Sequence, residues 1–337
     1  MQASSSVNAS TWAEPRSLAL RSSDPAEDLR HCTQLLRAGS RSFWAASWLL
    51  PKRLRPDVTA FYAFCRVADD AIDDSDNPGA ALANLRERVE RIYAGHPVDD
   101  PVDRAFGRVV FDNEIPAPLV DALLDGFAWD LEECRYETLG QTLGYAARVA
   151  STVGAVMTLI MGVHDRDALS RACDLGAAMQ LTNIARDVGE DARMGRLYLP
   201  ATWLRNEGID PEAWLQDPTP HPGIRRATAR LLSEAERLYD RANAGIPALP
   251  RDCQPAIAAA SLIYGDIGTV IAHRGYDSVT GRARTSGWRK LWRLGQAWTR
   301  RFVPQPDMLA LAPQPELAFV VDAASPPALS PASGAGS

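Results

Sequence analysis

The stretch QLTNIARDVGED, from Gln180 to Asp191, limits the possible folds more than any other part of the sequence. Read with the period of an α-helix, its oxygen-bearing side chains fall on one face, and these are Gln180, Asn183, Asp187 and Asp191. The opposite face is apolar and is expected to pack into a core. Carboxylate and amide oxygens one turn apart suit a hard divalent cation such as Mg²⁺. Arg186 lies beside this face, and a cation next to a metal site indicates a phosphate ligand.

A second acidic helix is predicted in FYAFCRVADDAIDD, from Phe61 to Asp74. Asp69 and Asp73 lie four residues apart, as do Asp70 and Asp74, so each pair shares one face. Arg66 and Tyr62 lie about one and two turns upstream on the same side. One acidic face alone would also fit a solvated helix surface. Two such helices, each with an arginine, instead favour opposite walls of a cavity that hold a metal–diphosphate cluster between them.

Composition and charge exclude several other classes of function. The formal net charge of −6 argues against nucleic acid as a partner, which requires a basic surface. The chain contains no glycine-rich nucleotide-binding fingerprint. Its five cysteines are scattered without a CxxC pair, and they are interpreted as reduced thiols of a cytoplasmic protein.

The chain shows no β-type alternation, so the predicted fold class is all-α, with one catalytic domain over residues 26–302. Residues 1–25 are predicted to form a disordered N-terminal extension, and the Pro/Ala/Ser-rich residues 303–337 a disordered tail. The stretch from Gly144 to Gly162 is nearly all apolar and contains many small residues. An all-round apolar helix is central to its fold. Its small residues either admit a second helix closely or line an open channel.

The segment from Gly287 to Phe302 is basic and rich in tryptophan. Two interpretations stay open for it. It could lie on the anionic inner face of the cytoplasmic membrane, with tryptophan at the interface. It could equally be a terminal helix whose tryptophans pack on the core.

These stretches resemble the squalene/phytoene synthase family, and most closely its bacterial phytoene synthases. The strongest match is QLTNIARDVGEDARMGRLYLP, and YAFCRVADDAIDD resembles the family's first aspartate-rich motif. GSRSFWAASWLLP resembles its N-terminal substrate motif, and YAARVASTVG its central small-residue helix. The resemblance implies an isoprenoid synthase helical bundle with a central cavity. It also implies head-to-head coupling of two geranylgeranyl diphosphates, through a cyclopropyl diphosphate, to phytoene.

The resemblance also implies residue roles. The expected ligands of Mg²⁺, with Mn²⁺ as the alternative ion, are Asp69, Asp73, Asn183, Asp187 and Asp191. The expected diphosphate-binding residues are Ser40, Ser42, Tyr62, Arg66, Gln180, Arg186, Tyr264 and Arg282. The expected lining of the prenyl channels is Phe43, Tyr145, Val149, Ala150 and Gly154. Phytoene formation needs no reductant, and no NADPH site is expected.

Three alternatives accompany this prediction. The first is a synthase that couples two farnesyl diphosphates to presqualene diphosphate or dehydrosqualene, which pocket depth would distinguish. The second is a head-to-tail prenyltransferase or terpene cyclase, which also uses aspartate-rich helices but lacks this pairing of motifs. The third is a non-catalytic scaffold of the same fold, which would be expected to have lost carboxylates that this chain keeps.

Overall fold

The computed structural model describes residues 24–39, 48–283, 292–297 and 304–325. Within these ranges the protein is helical and contains no strand, which confirms the predicted all-α class. In chain order the helices are α1 (Pro25–Gly39), α2 (Arg55–Asp73), α3 (Pro78–Tyr93), α4 (Pro101–Asp112), α5 (Ala117–Leu131), α6 (Leu139–Ala146), α7 (Thr152–Ile160), α8 (Arg166–Arg193), α9 (Ala201–Asn206), α10 (Pro211–Gln216), α11 (Pro222–Asn243), α12 (Gln254–His273), α13 (Pro306–Leu309) and α14 (Ala318–Ala324). Short 3₁₀ helices span Ile246–Ala248 and Pro315–Leu317, and residues 292–297 form a further helical turn.

Helix α8, which carries the second acidic motif, is the central element of the bundle. Asp165 caps its start by accepting a hydrogen bond from the backbone N–H of Ala168 at 2.9 Å, which satisfies a donor left free at a helix N-terminus. The helix runs for 28 residues, and Gly195 with φ of +80° turns the chain just beyond its end. It packs against α7, α11 and α12. The predicted apolar face is buried, with 0–4% of each residue exposed, and consists of Leu181, Ile184, Ala185 and Val188.

The apolar stretch from Gly144 to Gly162 is not one continuous α-helix. A π-helical segment at Ala147–Ser151 separates α6 from α7. Such a wide turn shifts the side chains that follow it, and π-segments occur often at functional sites. Together α6, the π-segment and α7 pack against α8 and α5.

The prediction of a loose tail from residue 303 is wrong for the residues that the structure describes there. Residues 304–325 contain α13, a 3₁₀ turn and α14. Four residues at i, i+3, i+4 and i+7 form a buried apolar face on α8, α7 and α5, and they are Leu317, Val320, Val321 and Ala324. The neighbouring Pro- and Ala-rich sequence masked this short helical period. Residues 1–23 and 326–337 lie outside the described residues, so the terminal predictions there remain predictions.

Two helical stretches are long and apolar enough to cross a membrane by length and composition, Leu139–Ile160 and Gln254–His273. The first has 61% of its most apolar window buried inside the protein, and the second 33%. Because core helices pass the same test, this is weak evidence for a membrane span.

Candidate active site

The face predicted on α8 is formed as expected, and part of it lacks hydrogen-bond partners. Asn183 donates a hydrogen bond from Nδ2 to Oε1 of Gln180 at 3.3 Å. Its own Oδ1 atom is buried and has no hydrogen-bond partner among the residues that the structure describes. A buried, unpartnered amide oxygen is costly, and a bound cation would satisfy it.

Two arginines hold the carboxylate of Asp187. Arg186 donates to both of its oxygens, at 2.8 and 2.5 Å. Arg282 arrives from the loop after α12, with Nε 2.8 Å from Oδ1 of Asp187 and Nη1 3.2 Å from Glu190. That loop is fixed on α8, because the N–H of Gly189 donates to the carbonyl of Ser278 at 3.1 Å. The predicted residues Arg186 and Arg282 therefore meet at one carboxylate.

Helix α2 provides the opposite wall. Arg66 forms ion pairs with Asp69 at 3.5 Å and with Asp70 at 2.5 Å, so its guanidinium lies along the acidic face as the spacing predicts. Burial and the nearby Asp73 raise the pKa of Asp69. The side chain of Asp73 is 59% exposed, at the open side of the site.

A buried polar cluster lies between the walls, and of its members the sequence predicts a role only for Tyr145, as lining of a prenyl channel. Asp130 of α5 accepts hydrogen bonds from the hydroxyl groups of Tyr198 at 2.6 Å and Tyr145 at 2.9 Å. Burial raises the pKa of Asp130. Arg196 lies 3.8 Å from Asp73, and its charge offsets part of the rise that burial causes in the pKa of Asp130 and of Asp191. The sequence signal for this cluster was the run RLYLP after the second acidic motif.

Asp191 has the most strongly perturbed acidity of the predicted ligands. Burial and the carboxylate of Asp187 raise its pKa to about 7. A carboxylate in this position is costly to ionise without a compensating cation. Perturbed carboxylates that converge in a cleft are typical of functional sites.

The residues fit a divalent cation only in cooperation with a ligand. Within the described part of the chain, no three His, Cys, Asp or Glu side chains are grouped closely enough to hold one ion by themselves. Mg²⁺ is ordinarily bound through one or two carboxylates together with substrate phosphates. The unpartnered Oδ1 of Asn183 and the disfavoured charge of Asp191 agree with that kind of site.

An apolar cavity of about 360 Å³ lies below the polar face. Its polar end is formed by Tyr62, Gln180 and Asn183, and its wall includes the predicted Val149, Ala150 and Gly154. Tyr145 does not line this cavity, because its hydroxyl is directed to Asp130. Tyr264 lies close enough to Arg186 for that charge to lower its pKa against the effect of burial. Ser40, Ser42 and Phe43 lie outside the described residues.

The sequence leaves two roles open for the small residues of this region, which are close helix packing and the lining of an open channel, and the structure supports both. A Cβ atom on Gly154 would lie 2.6 Å from the carbonyl oxygen of Ala172, and one on Gly176 would lie 2.4 Å from that of Ala150. Both glycines therefore allow α7 and the π-segment to approach α8 closely. Ala150 and Gly154 also face the cavity, so close packing and an open channel coexist.

An all-α bundle with two acidic walls above an apolar cavity defines a prenyltransferase of the isoprenoid synthase type. The sequence model "Squalene/phytoene synthase" matches residues 36–289. A phytoene synthase of Rhodobacter capsulatus is 52% identical over 305 residues, covering 88% of this chain and 90% of the relative. A phytoene synthase of Cereibacter sphaeroides is 50% identical over 312 residues, covering 88% of each chain.

Solved structures agree with this assignment. A dehydrosqualene synthase crystallised with a ligand has a TM-score of 0.74 at 33% identity, covering 82% of this chain and 98% of that one. Squalene synthase HpnC from Alicyclobacillus acidocaldarius has a TM-score of 0.71 at 25% identity, covering 77% and 99%. The chain belongs to the squalene/phytoene synthase family.

Proposed function

We propose that this protein is a phytoene synthase, which couples two molecules of geranylgeranyl diphosphate head to head, through prephytoene diphosphate, with release of diphosphate. The reaction is the first committed step of carotenoid biosynthesis. Relatives at 50% identity and above carry that name over most of the chain. The finer assignment, a C20 substrate, depends mainly on the depth of the cavity.

The length of the cavity follows from the positions of its lining residues along α8. The cavity is lined from Asn183 down to Arg171 and Ala168. Arg171 lies sixteen residues before Asp187 on the same helix, a separation of about 24 Å at the ~1.5 Å rise per residue of an α-helix. An extended geranylgeranyl chain is about 19 Å long and a farnesyl chain about 14 Å, from C–C bonds of ~1.5 Å. The ~24 Å separation exceeds the length of a C20 chain by ~5 Å, which leaves room for its diphosphate at Asp187, and it exceeds the length of a C15 chain by ~10 Å. The cavity therefore suits a C20 chain, whereas a C15 chain would leave its far end empty.

The residues present suit the binding of two diphosphates. Asp69 and Asp73 on α2, with Asn183, Asp187 and Asp191 on α8, would hold Mg²⁺ or Mn²⁺. When bound, such an ion supplies Lewis-acid neutralisation of the leaving diphosphate. Arg66, Arg186 and Arg282 add fixed positive charge where the diphosphate charge develops. The predicted neutral groups around them are Gln180, Tyr62, Tyr264, Ser40 and Ser42.

The protein's part in the carbon–carbon coupling is to exclude water. An allylic cation must react with the double bond of the second chain before it reacts with solvent. The wall from Val149 to Gly154 is apolar on the cavity side, and such a dry pocket protects the cation. Closing the cyclopropane ring and forming the last double bond each release a proton, which diphosphate can accept, so no dedicated base is required. Because the final cation loses a proton and gains no hydride, phytoene formation requires no NADPH.

A farnesyl-using dehydrosqualene or presqualene diphosphate synthase is the second candidate, favoured by the similarity to the dehydrosqualene synthase structure. We place either enzyme in the cytoplasm, with peripheral attachment to the membrane through residues 287–302. Of these, only residues 292–297 are described. Trp292 is 67% exposed, whereas Arg293 pairs with the buried Asp266 at 2.8 Å and Ala297 is buried on the bundle. This turn therefore packs on the bundle with its tryptophan on the outside.

The test is incubation of the purified protein with Mg²⁺ and geranylgeranyl diphosphate, followed by mass spectrometry of the hydrocarbon. The proposal predicts phytoene, and it predicts none after EDTA treatment or in Asp69→Asn and Asp187→Asn variants that melt as the wild type does. A C20 diphosphate left unconverted by an enzyme that converts the C15 diphosphate would establish the second candidate instead.

A further inference from the structure

A buried cluster of charged residues lies at the end of the cavity opposite the acidic walls. Arg171 is 1% exposed and Asp174 is fully buried. The Nε atom of Arg171 lies 2.9 Å from Oδ2 of Asp174, and Nε of Arg241 lies 3.0 Å from the same oxygen. The proposed chemistry uses none of these residues. Buried ion pairs are expensive to maintain, so their position calls for a reason.

The two arginines connect the bundle to its C-terminal segment, residues 306–325, which we call the C-terminal strap. Arg171 donates to the carbonyl of Met308 at 2.7 Å and to that of Leu311 at 2.9 Å. Arg241 donates to the carbonyl of Ala312 at 2.7 Å. The strap lies beyond residues 36–289, the range matched by the family.

Arg171 also forms part of the cavity wall. It lines the cavity together with Ala168 and Gly245, and on α8 the lining residues most distant from Asn183 are Ala168 and Arg171. A Cβ atom on Gly245 would lie 2.3 Å from Cβ of Arg171, so only glycine lets the arginine side chain occupy this place. The guanidinium is directed to Asp174 and the strap, which leaves the aliphatic part of the side chain toward the cavity.

We propose that Arg171 forms the closed end of the prenyl cavity and that the C-terminal strap holds it there, so that the strap limits the length of chain the enzyme accepts. Arg171 is then a specificity-determining residue and the strap a positioning element. This inference rests on the proposed function, because it assigns the end of the site that receives the geranylgeranyl chain.

The first test uses the wild-type enzyme with C20 and C25 prenyl diphosphates and with two Arg171 variants. A closed end at Arg171 predicts that kcat/KM falls by about tenfold or more from the C20 to the C25 substrate, since an extra isoprene unit has no apolar space to enter. Arg171→Ala removes the wall and should make kcat/KM for the C25 substrate similar to kcat/KM for the C20 substrate. Arg171→Met keeps most of the volume but loses the strap contacts, so its ratio should lie between the other two. In both variants Asp174 keeps its partner Arg241.

The second test addresses the strap without touching the cavity. Leu317, 1% exposed in the strap, is changed to Ala, and Leu85 of α3, also 1% exposed, provides a matched Leu→Ala control. Both should lower the melting temperature, but only Leu317→Ala should raise the C25-to-C20 ratio of kcat/KM. Equal ratios in the two variants would show that the strap contributes stability alone and would overturn its positioning role.

A photoreactive C20 diphosphate with a diazirine on its terminal isoprene unit gives a readout that needs no variant. Crosslinking of the wild-type protein within residues 166–172 or 245–249 is expected. Crosslinks confined to other peptides, or a wild-type enzyme that uses C25 as well as C20, would overturn the inference. Failure of the proposed function is distinguishable, because it would appear as absence of C40 hydrocarbon from the wild-type enzyme with the C20 substrate.

Discussion

The Nη2 atom of Arg196 lies 3.8 Å from Oδ1 of Asp73. Asp73 is the last residue of α2, and Arg196 follows the end of α8, so this pair joins the ends of the two acidic helices. Burial raises the pKa of Asp69, Asp130 and Asp191, and the charge of the same guanidinium offsets part of each rise. One cation is therefore shared by both walls and by the buried tyrosine–aspartate cluster.

We predict that Arg196→Ala lowers kcat/KM by about 100-fold, the order of effect expected when a charged group aimed at a developing anion is removed. Arg196→Lys should recover part of the loss, because it keeps the charge without the planar guanidinium. Steady-state kinetics with the C20 diphosphate measure both. Arg205→Ala is the matched control, since Arg205 pairs with the exposed Glu137 outside the site. If Arg196→Ala has the same kcat/KM as this control, Arg196 does not contribute to catalysis.

Asp191→Asn should stabilise the metal-free protein while it abolishes turnover. The folded-state pKa of about 7 lies above the ordinary value of 3.8, so the folded state binds more protons between those values and wild-type stability falls as pH rises through them. The asparagine variant escapes this loss. Its melting temperature in EDTA should exceed that of the wild type by about 2–5 °C at pH 7.5, and the difference should vanish near pH 4.

Asp74→Asn provides the control for that measurement, because Asp74 lies on the exposed side of the same acidic region and should show no gain. A gain for Asp191→Asn that is the same at both pH values would contradict the assigned cause, the burial of an ionised carboxylate.

Much of the site could be predicted from local sequence. The period of Gln180 to Asp191 identified a polar face, and the structure confirms the helix and its buried opposite face. The pairing of Arg66 with its two aspartates also follows from one-turn spacing. Such predictions succeed because the interacting residues share one helix, whose geometry is fixed by its backbone.

Contacts between distant segments could not be read in the same way. Tyr145 was expected in a prenyl channel, yet its hydroxyl donates to Asp130 from another helix. The C-terminal strap was expected to be loose, because its composition conceals an apolar face of four residues. In both places the outcome depends on which surface the folded bundle presents, and this is a tertiary property.

Gly154→Ala should lower stability, since its Cβ would meet the carbonyl oxygen of Ala172 at 2.6 Å. The two packed helices would have to move apart to admit this atom, and overpacking of this kind lowers the free energy of unfolding by about 1–3 kcal/mol. Denaturant unfolding measures the loss. Gly265→Ala is the matched control, because no atom of the described ranges lies within 4 Å of a Cβ there and alanine is the better helix former. Equal stability of the two variants would argue against close packing at Gly154.

Ala150→Phe should shift substrate preference from the C20 toward the C15 diphosphate, because Ala150 lines the cavity and a phenyl ring would shorten it. Each buried methylene of the substrate is worth about 0.8 kcal/mol, so the loss of room for one isoprene unit should change the C20-to-C15 ratio of kcat/KM by tenfold or more. A melting curve must accompany the kinetics. A folded variant with an unaltered ratio would show that Ala150 does not contact the chain.

A competition between substrates tests directly whether the enzyme selects a C20 chain. The enzyme is given Mg²⁺ with equal concentrations of farnesyl and geranylgeranyl diphosphate, and the hydrocarbons are separated by carbon number. A cavity whose depth suits a C20 chain predicts that C40 phytoene predominates over C35 and C30 products. A C30 hydrocarbon as the main product would contradict selection of the C20 diphosphate and would assign the chain to the farnesyl-using branch of its family.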